Sequence, residues 1–253
     1  MKKTRYLLVI LVLMVCMSVF GDAKGEEIGR KTFGLKKSND MSAVAAMTLI
    51  DKSGNKRSRK LEMFAKETKA YTGTFIRFME PADVSGTKFL SVTKNGVEEQ
   101  RIYLPTMKKV RLISSSGKNG RFVNSDILYY DLESREYDDF SYRYIKDETL
   151  NGVDYSVVEL RSVDTGSPYS RAVVWISKKD DFLYRMECYD SKSDELIKRI
   201  VIVEVKVIDG VIIPTKTVFD NLKDNTKTLL ELTGVKVNTG LSDTVFSVAA
   251  LDK

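Results

Sequence analysis

Histidine is absent from the sequence, and only two cysteines, Cys16 and Cys188, occur among its 253 residues. Without histidine, the chain cannot build a Ser-His-Asp or Cys-His nucleophile, and it cannot hold a metal through imidazole. Two cysteines exclude a framework of several disulfides and a cysteine-rich zinc site. We therefore expect no catalytic residues, no metal site and no cofactor, and we expect that the protein is not an enzyme.

The composition is that of a folded globular protein. Hydrophobic residues make up 43% of the chain and charged residues 30%, and the formal net charge is +6. This apolar content is too high for a disordered chain. The basic residues are scattered among acidic ones, as on an ordinary solvated surface. We therefore do not expect nucleic acid to be a partner.

The N-terminus has the layout of a secretory signal peptide. The basic residues Lys2 and Lys3 precede an apolar run over residues 6–20, and the small residue Ala23 follows. A basic start, an apolar stretch and small residues near a cleavage site are the three parts of such a signal. We expect a signal peptide over residues 1–23 and a single mature domain over residues 24–253.

Two other interpretations of the N-terminus remain open. One is a membrane anchor, although a spanning helix needs about 20 apolar residues. The other is a lipoprotein signal in which Cys16 is the modified residue. Val15 precedes this cysteine, where a small residue is normally wanted, and modification there would shorten the apolar run.

From residue 41 onward, apolar and polar residues alternate with the two-residue period of half-buried antiparallel strands. Val203, Val205 and Val207, for example, alternate with Glu204 and Lys206. Turn sequences such as Asn-Gly and Asp-Gly, which suit hairpins, separate the runs. About eleven strands at hairpin spacing predict a mainly β protein with a large, strongly curved antiparallel sheet or barrel.

Two stretches break the alternation, and each predicts a short helix. The first covers residues 27–37, although Gly29 and Gly34 weaken it. The second covers residues 124–134, which begin with Asn124 or Ser125 as a cap.

Several strands carry apolar residues on both faces. Within one run Ile76 and Phe78 oppose Phe75 and Met79, and the residues from Ile200 to Val203 repeat the pattern. A sheet with one face in water would need apolar residues only on its other face. Either helices or barrel closure cover the second face, or one face lines an apolar ligand site.

Side chains that could act in catalysis, metal binding or a ligand site have simpler structural explanations. The pairs Asp138-Asp139 and Asp180-Asp181 lie in turn-like sequence, where aspartate makes local hydrogen bonds. Cys188 lies in a strand pattern and has no histidine to activate it, so we expect a small buried hydrophobe. Trp175 belongs either to the core or to a cavity wall.

Five stretches of the chain carry a family resemblance: residues 47–64, 75–91, 101–133, 173–190 and 209–231. The most specific is YLPTMKKVRLISSS, which is followed by SDILYYDL over residues 125–132. In these stretches the sequence resembles the outer membrane lipoprotein-sorting proteins, relatives of the lipoprotein carrier with the LolA-like fold. The resemblance implies a half-open, strongly curved antiparallel β-barrel with short helices over its mouth. It also implies a periplasmic location and a concave apolar surface that receives acyl chains.

The chain departs from the family pattern at three points. The predicted first helix is short and contains glycines, so we expect its lid to differ from that of the family. Asn124 stands where the family usually has glycine before Ser-Asp. The barrel arginine that ties the lid in the carrier has no aligned motif here. Arg77 is the nearest counterpart for a lid contact, and the alternative is an exposed or ion-paired strand arginine.

The resemblance predicts a carrier that binds acyl chains of a lipoprotein or lipid and moves them across the envelope. Its partners would be an inner-membrane lipid or lipoprotein exporter and an outer-membrane acceptor. The alternative is a periplasmic sensor or assembly subunit that uses the same sheet to bind a protein. The cargo cannot be read from apolar residues, because hydrophobic contact is not directional. The residues predicted to line the ligand site are Phe75, Phe78, Phe89, Tyr103, Leu104, Met107, Tyr129, Tyr130, Trp175 and Met186.

Overall fold

The computed structural model describes residues 22–252. The predicted signal peptide therefore lies almost entirely outside the described residues. Two helices occur in this part of the chain, α1 (Ala23–Phe33) and the one-turn α2 (Ala249–Asp252). Neither of these two helices has the length and apolar content needed to cross a membrane.

Thirteen strands of the described chain form one antiparallel sheet. They are β1 (Asp40–Ile50), β2 (Lys56–Glu67), β3 (Tyr71–Glu80), β4 (Lys88–Lys94), β5 (Val97–Leu104), β6 (Lys109–Leu112), β7 (Phe140–Leu150), β8 (Val153–Ser162), β9 (Tyr169–Ser177), β10 (Leu183–Asp190), β11 (Leu196–Ile208), β12 (Val211–Asn221) and β13 (Thr226–Val237). This confirms the predicted fold class, with more strands than the eleven expected from the sequence. The four residues of β6 are too few to show a two-residue period.

The strand order is β6-β5-β4-β3-β2-β1-β13-β12-β11-β10-β9-β8-β7. Hairpins join most neighbours, and β1 pairs with β13 to join the two halves of the sheet. The short β6 and the longer β7 are the two edges. The chain between them, residues 113–139, crosses the concave face, and we call it the plug segment.

The plug segment replaces the second predicted helix, and that prediction was wrong. Between residues 124 and 134 the chain forms only a three-residue 3-10 turn, Tyr130–Leu132, after an earlier turn at Phe122–Asn124. Val123 and Asn124 adopt positive φ angles of 46° and 59°. They turn the chain back, so that Leu128 forms an antiparallel bridge with Arg121 and the Phe122 amide donates to the Ile127 carbonyl at 2.7 Å. The backbone of residues 127 and 128 is thus used for this pairing rather than for a helix.

The first helix begins and ends four residues earlier than predicted. Asp22 caps α1 by accepting a hydrogen bond from the Gly25 amide at 3.1 Å. Gly34 ends it, and its amide donates to the Arg30 carbonyl. The glycine that weakened the predicted helix is therefore its terminator.

Aromatic side chains of the plug segment fill half of the concave surface. Phe122 is 1% exposed, and its ring centroid lies 5.6 Å from that of Phe78 and 5.2 Å from that of Phe89. Ile127 and the half-buried Tyr129 pack in the same cluster. This half of the barrel is a solid core.

We expect Phe122→Ala to lower the free energy of unfolding by about 3–5 kcal/mol, because a fully buried ring leaves a cavity that the sheet cannot close. Urea unfolding followed by circular dichroism measures the change. Met107→Ala is the control, since Met107 is 41% exposed and its loss should cost at most about 0.5 kcal/mol. Equal stability of the two variants would contradict the packing role of the plug segment.

Two buried aspartates attach the plug segment to the sheet. Asp126 accepts hydrogen bonds from the hydroxyls of Thr226 at 2.5 Å and Thr228 at 2.9 Å. Asp131 accepts from Lys198 Nζ at 2.6 Å and from the Tyr169 hydroxyl at 2.7 Å. Both aspartates belong to the SDILYYDL sequence, so the most specific motif of the chain fixes the plug segment in place.

The C-terminal residues cover part of the convex surface. Phe246 and Leu251 pack against Phe75 and Leu90. On β3 the second apolar face is therefore covered by another part of the chain, which was one of the two explanations for apolar residues on both faces.

Helix α1 lies close to the edge strand β7. A Cβ atom on Gly29 would lie 2.4 Å from the Tyr142 ring, and one on Gly25 would lie 2.8 Å from the Tyr144 amide nitrogen. Only glycine permits this approach. The Tyr144 amide also donates a hydrogen bond to Asp22, so the cap residue of α1 occupies the edge of the sheet.

Candidate functional site

A cavity of about 810 Å³ lies on the concave surface beside the plug segment and α1. Its wall is formed by half-buried aliphatic and aromatic side chains from the strands on both sides of the β1–β13 junction. They include Met63, Leu183, Met186, Ile200, Ile202, Ile212, Phe219, Leu230 and Leu232.

The strand register explains why these residues share one surface. Met186 lies opposite Val174 on β9 and Ile200 on β11, and Ile200 lies opposite Phe219 on β12. Opposed residues of antiparallel strands point to the same face. One continuous row of four apolar side chains therefore crosses the cavity wall.

On β11 the apolar residues on both faces have a different explanation from those on β3. Ile200 and Ile202 line the cavity, whereas Val203 does not line it and is 52% exposed. The inward isoleucines face a space rather than a covering helix. Exposed apolar side chains concentrated in a concavity are the usual lining of a site for an apolar ligand.

Charged side chains surround one end of the cavity. Lys66 and Glu67 lie at the end of β2, Lys36 and Lys37 lie between α1 and β1, and Arg135 belongs to the plug segment. Burial alone would lower the pKa of Lys37, but its ion pairs with Glu67 and Glu136 outweigh burial and raise that pKa. The site thus combines an apolar wall with a charged mouth.

Among residues 22–252, no three histidine, cysteine, aspartate or glutamate side chains lie in a group that could hold a metal ion. Cys188 is fully buried, as predicted, and burial raises the pKa of its thiol. The pair Asp138-Asp139 lies in a 3-10 turn, where Asp139 accepts a hydrogen bond from the Glu136 amide at 2.8 Å.

Of the ten residues predicted to line the ligand site, Met186 lines the cavity. Phe78, Phe89 and Tyr129 lie on the concave surface, but the plug segment covers them. Tyr130 is buried beside Tyr169, with ring centroids 5.8 Å apart. Phe78, Phe89 and Tyr129 thus belong to the solid half of the barrel, and Tyr130 packs on β9 without lining the cavity.

The other predicted residues lie away from the cavity. Phe75 and Tyr103 are on the convex face under the C-terminal residues. Trp175 is also convex, because Val174 and Ile176 on either side of it line the cavity, and its indole donates to Glu148 at 2.7 Å. Leu104 ends β5, and Met107 lies in the exposed turn that follows.

Arg77 does not occupy the position of a lid contact. It lies on the convex side of β3, where it pairs with Glu62 on the neighbouring strand. Helix α1 lies on the concave side, so the ion-paired strand arginine is the correct interpretation. The helix is instead held by Asp22 and by the close approach of its glycines to β7.

Two of the lining residues carried a signal in the sequence. Ile200 and Ile202 belong to the run on β11 that is apolar on both faces. The strand register places Val174, Ile200 and Phe219 in one row with Met186, the predicted residue that lines the cavity.

Solved structures of similar proteins share this architecture. A DUF1329 family protein from Desulfovibrio piger is 26% identical with a TM-score of 0.86, and the match covers 91% of this chain and 99% of that one. An outer membrane lipoprotein-sorting protein domain from Vibrio parahaemolyticus is 29% identical with a TM-score of 0.85, over 91% and 99% of the two chains. A LolA superfamily protein from Nitrosomonas europaea, at 17% identity and a TM-score of 0.70 over 89% and 98%, shows the fold alone.

Sequence comparison gives a consistent result. The model of a family described as "-like: Uncharacterized protein" matches residues 70–253, which is well over half of the chain. No curated protein matches significantly. The family match, the two similar structures and the motif-bearing stretches agree with one another. The chain belongs to the family whose model matches residues 70–253, is similar to an outer membrane lipoprotein-sorting protein domain, and has the LolA-like fold.

Proposed function

We propose that the protein is a periplasmic carrier that binds acyl chains of a lipoprotein or lipid and transfers them across the cell envelope. The observation that supports this most directly is the cavity of about 810 Å³ with an apolar wall. Each CH₂ group removed from water contributes about 0.8 kcal/mol, so an acyl chain in this cavity would be held strongly.

The plug segment limits the part of the concave surface that cargo can occupy. Phe122, Ile127 and Tyr129 fill one half of the concave surface, so cargo has only the other half available. A carrier must also release its cargo. Helix α1 contacts the sheet mainly at β7, which makes it the element whose movement would widen the site.

In this proposal residues 1–23 are a cleaved signal peptide and residues 24–253 form one domain. Cleavage after Ala23 would remove Asp22, so in the mature protein the close approach of Gly25 and Gly29 to β7 would hold α1. An inner-membrane exporter of lipids or lipoproteins would load the carrier, and an outer-membrane acceptor would unload it. Met186, Ile200 and Ile202 would contact the acyl chain, because all three side chains line the apolar wall.

The test is native mass spectrometry of the mature protein, purified from periplasm without detergent and followed by lipid extraction. We expect a bound species that carries acyl chains and is lost on organic extraction. The extracted protein should then take up a fluorescent fatty-acid probe. A protein that is empty and also refuses the probe would contradict the carrier function and favour the sensor or assembly subunit.

A further inference from the structure

We propose that the cavity selects acyl ligands with an anionic head group, which Lys36 binds at the mouth. This inference rests on the proposed carrier function and adds a polar determinant to it. Hydrophobic contacts set how strongly a chain is held but cannot distinguish one head group from another. A charged group at a fixed position on the mouth can make this distinction.

Lys36 has the geometry that such a determinant requires. Its side chain lines the cavity, and the residue is exposed to solvent. Its Nζ donates to the carbonyl of Asp209 at 2.5 Å, which holds the ammonium group beside the β11–β12 turn. An ammonium group has three N–H donors, so further donors are available to a ligand.

The other cations of the mouth already have carboxylate partners. Lys37 pairs with Glu67 at 3.2 Å and with Glu136 at 3.4 Å. Lys66 lies 2.6 Å from Asp243.

Arg135, the fourth cation at the mouth, pairs with the buried Glu133. Lys36 has no carboxylate within 4.0 Å among residues 22–252, which leaves its charge uncompensated. An anionic oxygen placed there would gain a charge-assisted hydrogen bond without breaking an existing ion pair.

The position of Lys36 matches the orientation of an amphiphile. An acyl chain against Ile202 and Leu230 would direct its polar end toward the loop that joins α1 to β1. The turn on the other side contains Gly210, and a Cβ atom there would lie 3.5 Å from Lys36 Nζ. The head group would therefore meet the lysine where the apolar wall ends.

The experiment measures displacement of a neutral fluorescent acyl probe by four ligands with matched sixteen-carbon chains. These are palmitate, hexadecyl phosphate, methyl palmitate and hexadecyltrimethylammonium. We expect both anions to bind about tenfold more tightly than the methyl ester at low salt, and the cation more weakly than the ester. The ratio of palmitate to hexadecyl phosphate distinguishes a carboxylate head group from a phosphate.

Lys36→Glu should abolish the preference for anions, so that palmitate and hexadecyl phosphate bind no more tightly than methyl palmitate. Lys52→Glu is the matched control, since Lys52 is exposed in the β1–β2 turn at the opposite end of β1 and the change of charge is the same. It should keep the preference.

The outcomes separate the two proposals. If no ligand displaces the probe and none binds, the carrier function fails. If all four bind equally to the natural protein, or if Lys52→Glu acts like Lys36→Glu, the head-group inference fails while acyl binding stands.

Discussion

Ile202→Glu is expected to lower acyl-chain affinity by about 100-fold or more. Ile202 lies on the cavity wall, where it is opposite Thr217 on β12. A carboxylate at this position stays hydrated in the empty cavity, and an acyl chain would have to remove that water. Burying an unpaired charge costs several kcal/mol, and about 2.8 kcal/mol is already 100-fold in affinity. Titration with a fluorescent fatty acid measures the loss.

Val203→Glu is the matched control for this prediction. Val203 is the next residue on β11, it is 52% exposed, and it does not line the cavity. The two variants carry the same new charge at neighbouring positions of one strand. A difference in acyl-chain affinity between them therefore depends on whether the residue lines the cavity. Their melting temperatures should be similar, because both side chains are in contact with solvent. Unchanged binding by a folded Ile202→Glu protein would remove this wall from the site.

Asp131→Ala is expected to lower the free energy of unfolding by about 3–5 kcal/mol. The side chains of Asp131 and Lys198 are 7% and 5% exposed, and their charged atoms lie 2.6 Å apart. Removing the carboxylate leaves a buried ammonium group without its counter-charge. The Tyr169 hydroxyl, whose pKa is raised by burial, also loses its acceptor. Denaturant unfolding and the melting temperature give the change.

A double variant separates the lost charge partner from lost packing. Asp131→Ala with Lys198→Met removes both charges, and we expect it to be more stable than Asp131→Ala alone. Glu27→Ala is a control on α1, where Glu27 pairs with Lys31 at 2.7 Å in solvent and its loss should cost at most about 0.5 kcal/mol. If Asp131→Ala alone lowers the free energy of unfolding as little as Glu27→Ala does, the buried pair does not hold the plug segment.

The strands could be predicted from the sequence because each alternates apolar and polar residues on its own, as β2 and β3 do with Leu61, Met63, Ile76 and Phe78. Alternation shows which residues share a face but not which face is concave. Trp175 and Met186 illustrate this limit, since both belong to alternating strands and only Met186 faces the cavity. Their faces follow from the register of many strands together, which no local pattern contains.

The plug segment was the hardest part to predict, for two physical reasons. The positive φ angles of Val123 and Asn124 turn the chain at the start of the stretch predicted as a helix, and no glycine marks them. Asp126 and Asp131 look like surface residues in the sequence, yet their partners Thr228 and Lys198 come from strands far along the chain. The large aromatic residues fill the core here, which left the aliphatic ones to line the cavity.

The contact between α1 and β7 links cargo exchange to the risk of aggregation. β7 is an edge strand, and exposed edges can pair with strands of other molecules. The Tyr144 amide on this edge is covered by α1, since a Cβ atom on Gly25 would lie 2.8 Å from its nitrogen. Movement of α1 away from the sheet would free that amide and uncover part of the edge. The open state should therefore be brief, or it should form only where a membrane partner covers the exposed strand.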